Sequence, residues 1–243
     1  MGVALRAGRE VARLAVAEPW MLVAPLLATA LAPVLAVAAG IVPVVGGIVY
    51  GLVVHPLLIG GLLHVGDAAV EGSLDAWDFF TGAAANFLGL LGASVIVGVV
   101  YLILGVLGVG IAFAAGFTAT VGADTVIGLV AVAGAILGLG FQFVDVSVVV
   151  DDEGPTDAVE RSWEAVVHNP VSALSYGIVR LLSLGLVTVA VVVFLVGSEF
   201  LLETGRITDL QTLVIAVVLG GVGYFGGGIV HAVFYRQLTR QES

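Results

Sequence analysis

Cysteine and lysine are both absent from this chain of 243 residues. The lack of Cys excludes disulfide bonds and Cys-ligated metal sites, and it leaves no sign of the redox state of the surroundings. Because Lys is missing, all eight basic residues are Arg, and 18 acidic residues bring the net charge to −10. Such a chain lacks the basic surface that binds nucleic acid, so we expect no nucleic-acid partner.

Charged residues of either sign are also scarce. They make up 11% of the chain, and hydrophobic residues make up 60%, whereas roughly a quarter of a soluble domain is charged. No formal charge occurs between Glu18 and Asp67. That stretch is long enough for two helices of about 20 residues, the length that crosses a bilayer. The composition therefore predicts an all-α integral membrane protein of the plasma membrane.

The combination of many acidic residues with no Lys has two explanations. One is a proteome adapted to high salt, where screening suppresses the repulsion between exposed carboxylates. The other is a GC-rich genome that replaces Lys with Arg. We favour the first, because the chain is also rich in Ala, Val and Gly.

A hexapeptide of the form EG-x-x-DA occurs twice, at Glu71–Ala76 and Glu153–Ala158, each time after a long apolar run. The segment Arg6–Pro19 also aligns without a gap on Asp157–Pro170. Each unit holds two spans, so successive units insert in the same orientation and are predicted to be parallel repeats. These matches divide one domain, residues 1–243, into three units at about 4–66, 73–151 and 156–236.

Each unit is predicted to form a transmembrane hairpin preceded by an amphipathic interfacial helix. The six transmembrane helices are placed at about 19–39, 42–66, 87–113, 125–149, 170–202 and 210–235. The interfacial helices are placed at about 3–17, 73–84 and 156–168. Ser73 is the predicted N-cap of the second interfacial helix, and Pro19 and Pro170 suit first helical turns. A signal peptide is the alternative for the N-terminus, but its apolar segment is too long and continues into a second span.

The placement of Arg predicts the orientation in the membrane, because cytoplasmic loops carry an excess of basic residues. Both termini are expected in the cytoplasm, with Arg206 outside and Arg180 inside the fifth helix. The arginines on the cytoplasmic side are then Arg6, Arg9, Arg13, Arg161, Arg236 and Arg240.

Two charges fall well inside predicted spans, away from the loops, Asp145 in the fourth helix and Arg180 in the fifth. With a rise of about 1.5 Å per residue, they lie at comparable depth, roughly 9 Å and 15 Å from the cytoplasmic ends of their helices. An isolated charge in hydrocarbon costs at least ~2.5–3.5 kcal/mol, so we expect the two to pair inside the bundle. A structural pair is favoured over a substrate or proton site, which stays open.

Further polar side chains fall in the inner half of the same bundle and are expected to line one polar cavity open to the cytoplasm. They are Gln142, His55, His64, Tyr176 and His231. A lone His near a helix end more often sits at the membrane interface. His55 and His64 are nine residues apart, unlike a metal pair at i and i+4, so no metal, haem or other cofactor is expected.

Glycine is abundant, at 34 residues. Small residues allow helix backbones to approach closely in a bilayer, so a packing role is favoured over an unwound sixth helix that lines a transport path. The glycines predicted to mediate this packing are Gly47, Gly51, Gly134, Gly138, Gly223 and Gly227.

Two passages, Ala4–Leu31 and Phe141–Ala173, resemble an uncharacterised class of haloarchaeal multi-pass membrane proteins. In that class an F-x-D step precedes a DD-x-G exit and an amphipathic A-x-x-x-S helix that ends in N-P. The matching residues are Phe143, Asp145, Asp151, Asp152, Gly154, Ala158, Ser162, Asn169 and Pro170. The layout is more distantly similar to the membrane domain attached to some glycerophosphodiester phosphodiesterases. Their catalytic acids belong to a soluble barrel that has no counterpart here, so the resemblance transfers no catalytic residue.

No sequence motif for a phosphate-binding loop, a nucleophile elbow or a zinc protease occurs in the chain. We therefore expect a protein without enzymatic activity, a helper or scaffold that binds membrane lipids, other membrane subunits or a second copy of itself. A small permease with a cytoplasmic-side polar cavity is the alternative, and a membrane enzyme or redox subunit is the weakest hypothesis.

Overall fold

A computed structural model describes residues 3–39, 50–118, 123–204 and 208–240. In these ranges every regular element is helical. The α-helices are α1 (Val3–Ala17), α2 (Trp20–Ala39), α3 (His55–Glu71), α4 (Asp78–Thr118), α5 (Ala123–Gly140), α6 (Val144–Val150), α7 (Pro155–His168), α8 (Pro170–Thr204), α9 (Thr208–Tyr224) and α10 (Val230–Thr239). Two π-helical segments, Tyr50–Val54 and Phe225–Ile229, lead into α3 and α10. The turn predicted at Gly40 and Pro43 lies outside the described residues.

Five helical segments are long and apolar enough to cross a membrane: Leu52–Glu71, Asp78–Ala114, Thr125–Val150, Pro170–Ala190 and Val214–Thr239. A sixth is present if α1 and α2, which meet at 95°, count as one bent span. These helices leave wide apolar surfaces uncovered, and only 6% of the most apolar part of α4 is buried. A soluble monomer rarely exposes such surfaces. The prediction of several apolar spans in an all-helical protein is therefore confirmed.

Proline marks the boundary between consecutive helices at two places. Pro19 stands between α1 and α2, and Pro170 begins α8 directly after α7. Because Pro disfavours the helical conformation of the residue before it, each helix ends there. At the first of these boundaries the chain bends by 95°.

The second unit differs from the prediction of an interfacial helix at 73–84. Residues 73–77 are not helical, and α4 runs without interruption from Asp78 to Thr118. No Pro lies between these residues to separate a short helix from the long one. Ser73 is not an N-cap either, because its hydroxyl donates back to the carbonyl of Ala68 at the end of α3.

The two EG-x-x-DA copies have different backbone conformations. In the first copy, Gly72 has φ 72° and ends α3 in the left-handed conformation, with its N–H and that of Ser73 bonded to the last turn. In the second copy, Gly154 is extended and precedes Pro155 at the start of α7. Near this copy, the left-handed residue is Asp152, with φ 54°, which directly precedes the hexapeptide. The hexapeptide marks a break between helices in both places, but with different turns.

The core of the molecule lies at one end of the helices. α1 covers α10 with an apolar face, while Arg9 and Arg13 on its other face are exposed. The buried residues of that face are Val3, Ala7, Val11 and Leu14. α3, α6 and α10 contact one another inside. The N-terminal and C-terminal helices, α1 and α10, therefore pack together. α10 also contacts α6, which contains Asp145 of the candidate site.

Candidate functional site

The predicted fourth span is interrupted at residues 141–143, which form a turn between α5 and α6. An interrupted helix leaves backbone groups without their usual partners. Ser162 of α7 compensates for this, because its hydroxyl accepts a hydrogen bond from the N–H of Phe143 at 3.1 Å and donates one to the carbonyl of Gly140 at 2.6 Å. Ser162 is fully buried, so α7 closes the interruption from its side.

Residues of α8, the predicted fifth span, also contact the interruption. The guanidinium of Arg180 donates through Nη1 to the carbonyl of Gln142 and through Nη2 to Oδ2 of Asp145, at 3.1 Å. The Gln142 side chain in turn donates to the carbonyl of Ala173, at 3.1 Å. The ion pair that the depth argument predicts is therefore present, and it is attached to an irregular stretch of backbone that the sequence pattern does not predict.

A cavity of about 140 Å³ lies against this ion pair. It is formed where α3, α4 and α8 meet the interruption, and its lining residues are mostly apolar. The polar side chains that reach it are His55, Ser94, Asp145 and Arg180. The Arg180 side chain is 35% exposed and the Asp145 side chain 15%, so the pair is partly accessible from the cavity.

Tyr176 and His231 belong to an aromatic cluster next to the ion pair. Their rings stack with centroids 4.7 Å apart, and both contact Phe143, at 5.8 Å and 5.6 Å. The Tyr176 hydroxyl donates to the carbonyl of Gly226, in the second π-helical segment. Each of these three rings is almost completely buried. The cluster fixes α8 and α10 against the interruption.

Some buried polar atoms near the interruption have no hydrogen-bond partner among the described residues. They include Oε1 of Gln142, Oδ1 of Asp145 and both ring nitrogens of His231. The backbone of Gly227 lies near the His231 ring without completing a hydrogen bond. A buried polar group normally finds a partner, so these atoms mark the region where a ligand, a water molecule or a proton would be stabilised.

His64, in contrast, lies away from the cavity. It is half-buried on α3 and packs against Gly82 of α4, where a Cβ atom would be only 2.3 Å from the His64 Cβ. The structure therefore brings together Asp145, Arg180 and Gln142, with His55 at the cavity. It leaves His64 at a helix contact.

The glycines predicted for packing have different environments. A Cβ on Gly223 would lie 2.7 Å from the carbonyl oxygen of Ser183, so α9 and α8 are in close contact there. Gly227 has only one neighbour, at 4.0 Å, and the tight contacts of that segment are made by Gly226 and Gly228 instead. The sequence pattern located the segment but not each contacting residue.

The other predicted glycines lie in the first and second units. Gly47 is outside the described residues, and Gly51 falls in the π-helical segment Tyr50–Val54. On α5, a Cβ on Gly138 would lie 3.2 Å from the hydroxyl of Tyr101, whereas Gly134 leaves room for one.

Two further polar clusters join residues at or near the ends of α3, α6 and α10. Their pairing was not predicted from the sequence. Arg236 forms a two-point ion pair with Asp67, at 2.6 Å and 2.9 Å, which ties α10 to α3. The Tyr235 hydroxyl donates to Asp151 at 2.5 Å and accepts a hydrogen bond from Ser147. Each pair joins residues more than 80 positions apart, so spacing along the chain gave no signal.

The loop between α6 and α7, residues 151–154, contains Glu153, whose carboxyl group has a changed pKa. Partial burial, followed by the negative charge of Asp151, raises the pKa of Glu153 above its ordinary value. Its Oε2 atom has no hydrogen-bond partner among the described residues. The Glu153 side chain therefore accepts a proton more easily than an ordinary Glu, because the neutral form relieves both effects.

Comparisons with known proteins identify the family to which the chain belongs. Neither a curated protein nor a solved structure matches it. The family model described as Domain of unknown function (DUF7847) matches residues 3–238, a range that includes the interruption, the ion pair and the cavity. The chain is therefore a member of the DUF7847 family.

Proposed function

We propose that this protein is a small permease of the plasma membrane, in which the interrupted fourth span forms a binding site for a small polar solute. The observation that carries the proposal is the combination at one place of irregular backbone, a partly accessible Asp145–Arg180 pair and a cavity of about 140 Å³. Non-helical backbone at membrane depth is tolerated only where it is buried in protein or lines a water-filled cavity.

The energetics support a binding role for this arrangement. Placing a charge near the bilayer centre costs at least ~2.5–3.5 kcal/mol, and charged residues in spans commonly mark solute or ion pathways. Transporters build such sites from broken helices whose free backbone groups face the solute. The broken helix and the intramembrane charges are shared with such sites, but here the backbone groups of the interruption are bound by Ser162 and Arg180, and the Arg180 side chain lines the cavity. A π-helical segment lies beside the interruption, and π-helical turns are frequent at functional sites.

The proposal includes six spans, arranged as three parallel hairpins, with both termini in the cytoplasm. The bend of 95° between α1 and α2 supports an interfacial first helix followed by a transmembrane second one. The contact of α1 with α10 supports termini on the same side. The basic residues of these two helices then lie at the cytoplasmic surface, as expected for membrane proteins.

A membrane scaffold is the second candidate function, and one observation favours it. Gly98 and Gly105 of α4 are exposed, and a Cβ on either would meet no atom within 4 Å. They are seven residues apart and therefore lie on one side of the helix. Such a surface allows close approach of another apolar helix, from a partner subunit or a second copy, or of lipid chains.

Solute accumulation in proteoliposomes tests the permease proposal. Three radiolabelled probes of similar size and different charge are used: pyruvate, glycine and glycerol. We expect one of them to accumulate with the wild type and with Glu160→Gln, which alters an exposed carboxylate of α7. We expect Arg180→Gln to reduce accumulation at least tenfold, because it removes the cationic half of the pair.

Failure of all three probes to accumulate above protein-free vesicles would contradict the permease proposal. Stoichiometric co-purification of another membrane protein, lost when Gly98 and Gly105 are replaced by Leu, would then favour the scaffold. Equal accumulation by the wild type and Arg180→Gln would place the transport path elsewhere.

A further inference from the structure

The cavity beside the interruption is lined by the Asp145–Arg180 pair and by mostly apolar side chains. We propose that it takes a small monovalent oxyanion of the carboxylate class together with one proton, which binds to Asp145. This inference rests on the proposed function and specifies the solute of the same site. It is carried by the hydrogen-bond donors that the pair presents, by the unpartnered carboxylate oxygen and by the charge balance of a partly buried site.

Arg180 presents the donors. A guanidinium has five N–H groups in a planar fork, and the structure commits two of them, one to the Gln142 carbonyl and one to Asp145. The side chain lines the cavity and is 35% exposed. Its remaining N–H groups match the two oxygens of a carboxylate, which Arg binds in bidentate geometry. His55 lines the same cavity and can add a further donor.

Asp145 presents the place for the proton. Its Oδ2 atom accepts the hydrogen bond from Arg180, whereas Oδ1 is buried and has no partner among the described residues. The ionisable groups that act on this carboxylate are Arg180 of α8, His231 of α10 and His55 of α3. Arg180 is the cation paired with this carboxylate, at 3.1 Å.

Charge balance couples the two events. The empty site is neutral, because one carboxylate faces one guanidinium. An anion that bound to Arg180 alone would leave a net negative charge in a partly buried site, which is costly. A proton from the aqueous phase that forms an O–H bond at Oδ1 of Asp145 restores neutrality and frees Arg180 for the anion. Release reverses both events, so one anion and one proton move in the same direction.

The size of the cavity suits a small anion. A cavity of about 150 Å³ holds a benzene molecule, with ~six non-hydrogen atoms, and the volume here is about 140 Å³. Pyruvate is of that size and is fully ionised at neutral pH. The apolar residues that form most of the lining, among them Ile59, Leu90 and Val97, suit a short hydrocarbon part better than a second charge.

The experiment measures proton uptake when pyruvate binds to the purified full-length protein in detergent. Calorimetric titrations at pH 7 are made in two buffers of different ionisation enthalpy. We expect the wild type and Glu160→Gln to take up about one proton per bound pyruvate. The amide in Asp145→Asn imitates the protonated acid, so this variant is expected to bind pyruvate without proton uptake.

Transport in proteoliposomes gives a second measurement. Wild-type pyruvate uptake is expected to follow an inward proton gradient and to be insensitive to membrane potential. Uptake by Asp145→Asn is expected to ignore the proton gradient and to increase with an inside-positive potential, since the anion then moves alone. If Asp145→Asn does not accumulate in the membrane, the wild-type proton count and its potential dependence still decide the question.

Several results would overturn the inference. Binding of pyruvate without proton uptake by the wild type would contradict the coupling. Accumulation of glycine or glycerol but not of pyruvate would contradict the anion and leave the permease proposal intact. Accumulation of none of the three would contradict both.

Discussion

Ser162 binds the interruption between α5 and α6 at two points. Its hydroxyl is the partner of the Phe143 N–H and of the Gly140 carbonyl, two backbone groups that a continuous helix would pair internally. A single hydroxyl can do this because it is both a donor and an acceptor. The side chain comes from α7, so this helix and the interruption between α5 and α6 are connected by two hydrogen bonds.

Ser162→Ala is expected to lower the free energy of unfolding by about 2–4 kcal/mol, because it leaves two buried backbone groups without partners. Unfolding in mixed micelles with increasing denaturing detergent measures the change. Ser175→Ala is the matched control, since its hydroxyl donates only to the Ser172 carbonyl of its own helix. Equal stability of the two variants would show that the interruption does not need Ser162.

The Asp145–Arg180 pair could be predicted from the sequence, but the interrupted helix to which it is bound could not. Asp145 and Arg180 were predictable, because a charge in hydrocarbon is expensive and each residue's depth follows from its distance to the helix end. The interruption was not, because no Pro or Gly occurs at residues 141–143. Its stability depends on Ser162 and Arg180, which approach from other helices, and such contacts leave no periodic pattern along the chain.

At the scale of the elements, the contact between α3 and α4 depends on missing side chains. Cβ atoms on Gly60 and Gly61 would lie 2.8 Å from Leu90 and 2.4 Å from the carbonyl oxygen of Phe79. Gly82 faces α3 in the same way, from the other helix. Close packing of this kind replaces the hydrophobic effect, which does not drive helices together in a bilayer.

Gly82→Ala is expected to destabilise the protein by about 1–3 kcal/mol, because the new methyl group overlaps His64 and forces the helices apart. Gly98→Ala on the same helix is the control, since a Cβ there meets no atom within 4 Å. Midpoints of thermal unfolding in detergent are compared with the wild type. A midpoint for Gly82→Ala no lower than that for Gly98→Ala would contradict the close contact.

The repeat pattern predicted the elements of the first and third units better than those of the second. Pro19 and Pro170 interrupt the helix in two units, and the second unit has no Pro at the corresponding place, so one helix of 41 residues forms. The hexapeptide match indicated where helices end but not how, since Gly72 and Gly154 adopt different conformations. The arrangement of the units as parallel hairpins stays a prediction.

At the scale of the whole molecule, two kinds of surface lie next to each other. The outer face of the spans is apolar and exposed, as a surface in contact with lipid must be. The cavity at the interruption carries charges that need water or a polar ligand. Neighbouring residues of α4 are therefore expected to differ in their access to water: those that line the cavity contact water, and those on the apolar face do not.

Ser94 and Val95 of α4 offer the most direct measurement of that difference. Ser94 lines the cavity, whereas Val95 is 44% exposed on the apolar surface. Because the chain has no Cys, Ser94→Cys and Val95→Cys each carry one thiol. Thiols react as thiolates, which form in contact with water and not in hydrocarbon. In reconstituted membranes, we predict that a water-soluble, membrane-impermeant thiosulfonate modifies Ser94→Cys and leaves Val95→Cys unmodified. An unmodified Ser94→Cys, or equal modification of both, would contradict a water-filled cavity inside a membrane-spanning bundle.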